Sequence, residues 1–291
     1  MSSVATLFLS PLRYPGGKGK IAPFVASLIG AQHPRPSVYV EPFAGGAGVA
    51  MRLLHGEYVD EVVLNDLDAG VAAFWRALFD QPTDLAELIT NCVPSLDEWH
   101  RQRAVYIDKT AGDLELGFAT LFLNRTNRSG ILRARPIGGL EQTGKWLIDA
   151  RWNAEVLRDR IRRLARYSTR VTICEDDGIA VTTRYLREPD AFVYADPPYI
   201  AKADGLYLDT LCRDDHERLA TTLRCADRWL LTYDTHPDVL SLYHGLRCAV
   251  FGIKHTAAVQ HIGTEYAVFP DSLVVPSLRG LGRGDARYLT S

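Results

Sequence analysis

Apolar residues along the chain gather in short β-branched runs, set between stretches of helical period. Ser37–Phe43, Asp60–Asp66, Arg170–Cys174, Ala191–Asp196 and Arg228–Asp234 read as buried strands. Helical patterns lie at Lys18–Ile29, Asp68–Phe79 and Asp214–Asp227. Strands alternating with helices predict an α/β fold, with a parallel sheet covered on both faces. The alternation breaks twice. Cys248–Lys254 and Glu265–Phe269 are separated by a polar loop too short for a helix, which predicts an antiparallel hairpin. Between Asp68 and Arg170 there are helical patterns and no convincing strand, so an all-helical insertion is expected there. Its last part, Ala150–Tyr167, is strongly basic. The final stretch, SLRGLGRGDARYLTS, is rich in glycine and arginine and reads as a loose tail.

Composition narrows the class. The chain has 291 residues, a formal charge of −2 and a hydrophobic fraction of 47%, which describes a globular protein able to bury a sizeable core. No apolar run approaches the roughly 20 residues needed to span a bilayer, and no signal peptide is read at Met1–Ser10. The five cysteines are scattered without a CxxC pair, so reduced thiols and no metal site are expected. The near-neutral charge gives no general nucleic-acid signal. Any such binding must come from local clusters.

Two segments carry candidate chemistry. In VYVEPFAGGAGVA a strand runs into Gly45, Gly46 and Gly48 and then a helix, a unit in which backbone can approach a nucleotide-like ligand closely. Asp66 ends the next strand, about 20 residues on, where an acid can accept from ribose hydroxyls. A simpler role for Asp66 or Asp68 is a helix N-cap. The GxGxxG pattern is absent, which favours a mononucleoside over a dinucleotide. The second segment is Asp196-Pro197-Pro198-Tyr199, at the carboxyl end of a nearly all-apolar strand. The prolines keep the backbone out of helix and ladder, cannot donate, and leave carbonyls to accept. A carboxylate, a fixed carbonyl and an aromatic ring suit a planar ligand bearing an NH₂ group. A Pro-Pro turn closed by an Asx hydrogen bond is the structural alternative.

With these segments in hand, the sequence resembles the Dam-like adenine-N6 DNA methyltransferases, which use S-adenosylmethionine (SAM). RYPGGKGK (Arg13–Lys20) is similar to the family's N-terminal segment, EPFAGGAG to its SAM-binding turn, and LNDLD to the segment with the ribose acid. FLNRTNRSGILRARPIGG (Phe122–Gly139) and the stretch after it resemble the join between the target-recognition region and the core. ICEDDG falls where the family approaches the adenine of SAM. YADPPY resembles the catalytic motif, and LLTYDTH with EYAVF the closing strands. The segments stand in the family's order over most of the chain. The turn departs from the family's common FxGxG, reading Phe43-Ala44-Gly45-Gly46-Ala47.

The resemblance implies a Rossmann-like SAM-dependent methyltransferase sheet with a C-terminal antiparallel hairpin and an inserted helical target-recognition domain. The implied boundaries are residues 1–68 and 165–276 for the catalytic domain, 69–164 for the recognition domain and 277–291 for the tail. It implies SAM contacts from Tyr14, Lys18, Phe43, Gly45, Gly46, Asp66, Asp176 and Asp196. Asp196 and the Pro197 carbonyl would accept the target amine, Pro198 would fix the turn, and Tyr199 would stack on the base. The aspartate favours adenine over cytosine N4. The implied partner is double-stranded DNA, with the target base flipped out, and no metal. Arg125, Asn127, Arg128 and Arg133 are the candidate DNA contacts, whereas most arginines of Arg151–Arg166 read as a solvated helix face. A monomer or weak dimer in the cytoplasm of a bacterial or phage-infected cell is expected. Methylation of RNA or of a protein amide, and a silent SAM- or DNA-binding module, are the other readings.

Overall fold

The computed structural model describes residues 9–13, 18–200, 211–255 and 261–289. Among these, eight strands form one sheet: β1 (Val38–Glu41), β2 (Glu61–Asn65), β3 (Val171–Cys174), β4 (Ala191–Ala195), β5 (Trp229–Asp234), β6 (Arg247–His255), β7 (His261–Phe269) and β8 (Arg283–Tyr288). Their order across the sheet is β3-β2-β1-β4-β5-β7-β6-β8. The first five are parallel, and the last three run antiparallel to their neighbours. The strand order reverses between β1 and β4. The crevice at their carboxyl ends is where open α/β sheets take ligands.

Both faces of the sheet are buried, and successive residues alternate between them. Tyr39, Phe192, Tyr194 and Leu230 join one apolar cluster; Val40, Val193, Leu231 and Tyr233 join the other. The first cluster is completed by α1 (Ala22–Gly30), α2 (Ala50–His55) and α3 (Ala69–Asp80), the second by α8 (Gly178–Tyr185), α9 (Arg213–Arg224) and α10 (Pro237–Leu242).

The interval without strands is helical as expected: α4 (Pro82–Asn91), α5 (Leu96–Asp108), α6 (Asp113–Thr126) and α7 (Ala154–Leu164). Its apolar side chains run without a break into the cluster on the α1 face. Asp68 caps α3 by accepting from the Gly70 amide at 2.8 Å. Gly117 lets α6 cross α3 closely, since a Cβ there would lie 2.8 Å from the Phe74 Cα. The basic helix α7 buries only Leu157, Ile161 and Leu164, leaving Arg162 and Arg163 in solvent.

The C-terminal stretch differs from the expected loose tail. Arg283–Tyr288 pairs with β6, with Ala249 opposite Tyr288 and Val250 opposite Arg287. A long edge strand such as β6 presents unpaired backbone groups, and β8 covers them. The glycines that suggest disorder allow the approach. Gly282 has φ of 74°, and a Cβ there would meet the Gly252 carbonyl oxygen at 2.4 Å.

Candidate active site

Asp196 directly follows β4 at the reversal crevice and is the most exposed of the central charged groups, with a side chain 26% accessible. Lys18 opens the short 3₁₀ turn Lys18–Ile21 that leads into α1. Its Nζ donates to both Asp196 oxygens at 2.9 Å and to the Tyr199 hydroxyl at 3.0 Å. The same ammonium pairs with Glu265 Oε2 at 3.2 Å. The Tyr199 hydroxyl in turn donates to Glu265 Oε1. Thr232, in the middle of β5, donates to Asp196 Oδ1 at 2.6 Å and shares a hydrogen bond with the Tyr194 hydroxyl at 2.8 Å.

Electrostatics follow from this packing. Burial opposes the Lys18 ammonium, but the carboxylates of Asp196 and Glu265 outweigh it and hold its pKa well above the ordinary lysine value. Burial raises the Glu265 carboxyl, with Lys18 pulling the other way. Burial also raises the Tyr199 phenol, so it remains a neutral donor. The site is thus one cation shared between two carboxylates, one reachable from the crevice and one sealed behind it.

The glycine turn adjoins it. Asp66 accepts the Gly45 amide at 2.8 Å through Oδ2 and the Asp68 amide at 3.0 Å through Oδ1. Trp75 donates from its indole to the Gly45 carbonyl at 3.0 Å, so the turn is held from both sides. Gly45 and Ala47 both have φ of 44°; the alanine adopts a left-handed conformation that glycine takes more readily. Asn65 ties the turn to the β3 loop, donating to the carbonyls of Pro42 and Asp176 and accepting the Asp176 amide, all at 2.9 Å. Phe43 packs on Gly178, where a Cβ would lie 2.4 Å from the ring. Gly19 touches Gly48, which brings the Lys18 segment across the mouth of the turn. Glu41 lies under the turn, accepting from the Tyr39 hydroxyl at 3.0 Å and the Ala50 amide at 2.9 Å. Burial pushes its carboxyl up to about 8.

Lys18, Phe43, Gly45, Gly46, Asp66, Asp176 and Asp196 therefore lie on the loops that follow β1 to β4 or on the segment beside them. Tyr14 lies outside the described residues. Pro197 and Tyr199 are buried and Pro198 is half-buried. Thr232 and Glu265 escaped the sequence reading. The available signal was a polar residue inside each of two apolar strands, and nothing local said that those strands would meet at Asp196.

The candidate DNA contacts divide. Asn127 is fully buried, and its amide is spent on the Ile131 and Leu132 carbonyls at 3.0 and 2.8 Å and on the Trp99 indole at 2.6 Å. It builds the 127–137 loop from inside and does not present its side chain at the surface. Arg128 and Arg133 are exposed on that loop. Arg125 is only 8% accessible, and its Nε and Nη2 are buried with no hydrogen-bond partner among the described residues. Burial, then the neighbouring Arg160, Arg13 and Arg151, lowers its pKa to about 9. Asn124 fixes Arg13 beside it, accepting the Arg13 amide at 2.7 Å and donating to its carbonyl at 2.8 Å. Four arginines thus converge at the end of α6.

No curated protein matches the chain. Among solved structures, the chain is similar to the rRNA methyltransferase aviRa from Streptomyces viridochromogenes, at 15% identity over 94% of each chain with a TM-score of 0.38, too distant to inform the site. The family model described as D12 class N6 adenine-specific DNA methyltransferase matches residues 14–262, spanning the Lys18 segment, the glycine turn and the Asp196 motif. With that match over most of its length, the chain belongs to the family of D12 class N6 adenine-specific DNA methyltransferases, which methylate adenine N6 with SAM.

Proposed function

We propose that Asp196 is the residue that accepts the target adenine's amino group and that the crevice between β1 and β4 holds SAM beside it. The observation that carries this is the position of Asp196: a partly exposed carboxylate at the strand-order reversal, aimed by Thr232 and Lys18. The acceptor groups on the neighbouring loops suit SAM. Asp66, already fixed by two amides, accepts from the ribose hydroxyls. Phe43, packed on Gly178, offers a ring for the adenine. Bound SAM supplies a methyl group on a sulfonium leaving group.

The exocyclic amine of adenine is a poor nucleophile because its lone pair is conjugated with the ring. Asp196 and the Pro197 carbonyl each accept one N–H, which favours a pyramidal nitrogen with its lone pair directed at the methyl. Asp196 is placed to take the proton that N6 must lose after transfer. Tyr199, anchored by its hydroxyl, lends its ring to the base. Positioning of this kind supplies much of the rate in a direct displacement.

The amine is inside a duplex, so the base must leave the stack at a cost of a few kcal/mol. The four-arginine cluster supports this reading, because a buried guanidinium with no carboxylate paired to it among the described residues is costly until an anion joins it. Backbone phosphates are that anion, with Arg128 and Arg133 on the exposed loop reaching the duplex. The helical segment 69–164 is the recognition element, and the protein acts as a monomer on DNA in the cytoplasm.

The test is labelled-methyl transfer from SAM into plasmid DNA, followed by digestion to nucleosides. N6-methyladenine from the wild type and none from Asp196→Ala, with SAM still bound by the variant, is the expected outcome. Transfer by Asp196→Ala at the wild-type rate would remove Asp196 from the mechanism. Label recovered in any other nucleoside would overturn the substrate.

A further inference from the structure

The Lys18 ammonium donates to both Asp196 oxygens, one of which the proposed mechanism needs for the target amine. An entering N–H competes with it for one of those oxygens, and Oδ1 is already shared with Thr232. Lys18 is buried, so withdrawing it without another counter-charge leaves an unpaired cation in a low-dielectric interior. Glu265 stands on the other side at 3.2 Å, with a side chain 1% accessible. No other carboxylate pairs with Lys18 among the described residues. Thr232 stays on Asp196 Oδ1 and keeps the carboxylate aimed while the ammonium moves.

Building on the assignment of Asp196, we infer that Glu265 is a positioning residue: it takes over the Lys18 ammonium when the target amine arrives, so that Asp196 is released to accept. Three features support this hand-over. Glu265 uses its Oε1 on the Tyr199 hydroxyl, leaving Oε2 to face Lys18. Register fixes its place, because β7 runs antiparallel to β5 and puts Glu265 opposite Asp234, level with the carboxyl end of β5. Alternation along β7 sends Glu265 to the face occupied by Ala267 and Phe269, which is also the face of Lys18 and α1. A carboxylate sealed this far inside a strand is costly, and a role in packing alone is better filled by an apolar residue. Glu265 never touches the reacting atoms; it acts through Lys18 and Tyr199.

The test compares Glu265→Gln with Glu265→Asp in single-turnover methyl transfer, with enzyme in excess over DNA. Glutamine keeps the size and removes the charge; aspartate keeps the charge and leaves a gap. Glu265→Gln is expected to slow transfer about 10- to 100-fold, while SAM affinity stays within about threefold of wild type. Glu265→Asp is expected to be the faster of the two. A purely structural role reverses that order, because the cavity in the aspartate variant then costs more than the lost charge. The inference is overturned if Glu265→Gln transfers at the wild-type rate or if Glu265→Asp is as slow as Glu265→Gln or slower. Wild-type enzyme that leaves no N6-methyladenine in the DNA would instead refute the assignment of the reaction, so the two failures are told apart in one experiment.

Discussion

Replacing Glu41 with glutamine tests the electrostatics beneath the cofactor turn. The Glu41 carboxyl is buried at the end of β1 and is raised from 4.5 to about 8, with burial as the chief cause. Between those values the native state keeps the proton and the unfolded chain releases it. Fewer protons are then bound in the unfolded state, so stability falls as pH rises through this window and is fully present only below about 4.5. A shift of roughly 3.5 pH units corresponds to about 5 kcal/mol across the window, or about 1.4 kcal/mol for each pH unit. Glutamine reproduces the neutral form. Its carbonyl oxygen accepts from the Tyr39 hydroxyl and the Ala50 amide as Glu41 Oε1 does. Urea unfolding of wild type and Glu41→Gln at pH values from about 5 to 8 gives the difference in stability directly. Glu265 is also raised by burial, but it is common to both proteins and cancels in the difference. Between about pH 5 and 8 the variant should gain on the wild type steadily with pH, by about 4 kcal/mol at most. A difference that does not change with pH would show that Glu41 is ionised in the native protein and would refute the reasoning.

Other perturbations read separate parts of the molecule. Arg125→Met removes a buried charge whose Nε and Nη2 have no hydrogen-bond partner among the described residues, so it should raise stability in thermal unfolding while weakening DNA binding; the salt dependence of affinity should lose about one phosphate's worth of slope, near 0.9. Gly178→Ala drives a methyl into the Phe43 ring, and calorimetric titration should show SAM affinity reduced about tenfold, or about 1.4 kcal/mol, with the fold retained. Asp68→Ala loses the α3 cap and the acceptor of the Tyr106 hydroxyl, which should cost about 1–3 kcal/mol in urea unfolding.

Local sequence determined much of this protein. The β-branched runs specified β1 to β5 to within about two residues, because strands buried on both faces must be nearly all apolar. The glycine turn and Asp66 were legible because their chemistry is written within a few residues: a turn, then an acid at the end of the next strand. Asp196 was legible for the same reason, its two prolines having no place in a continuing strand. Tertiary structure decided the rest. Arg125 and Asn127 sit among residues that look like a polar surface loop, and only the packing of α6 with the 127–137 loop buries them. The glycine-rich end reads as loose until an unpaired edge of β6 is there to receive it. Glu265 and Lys18 are separated by most of the chain, and each alone is an ordinary charged residue. Their meeting depends on the antiparallel register of β7 against β5 and on the docking of the Lys18 turn beside Gly48. Periodicity records which face a residue takes along its own strand. It carries no record of which distant strand will lie beside it, and the charge balance around Asp196 is set at that level.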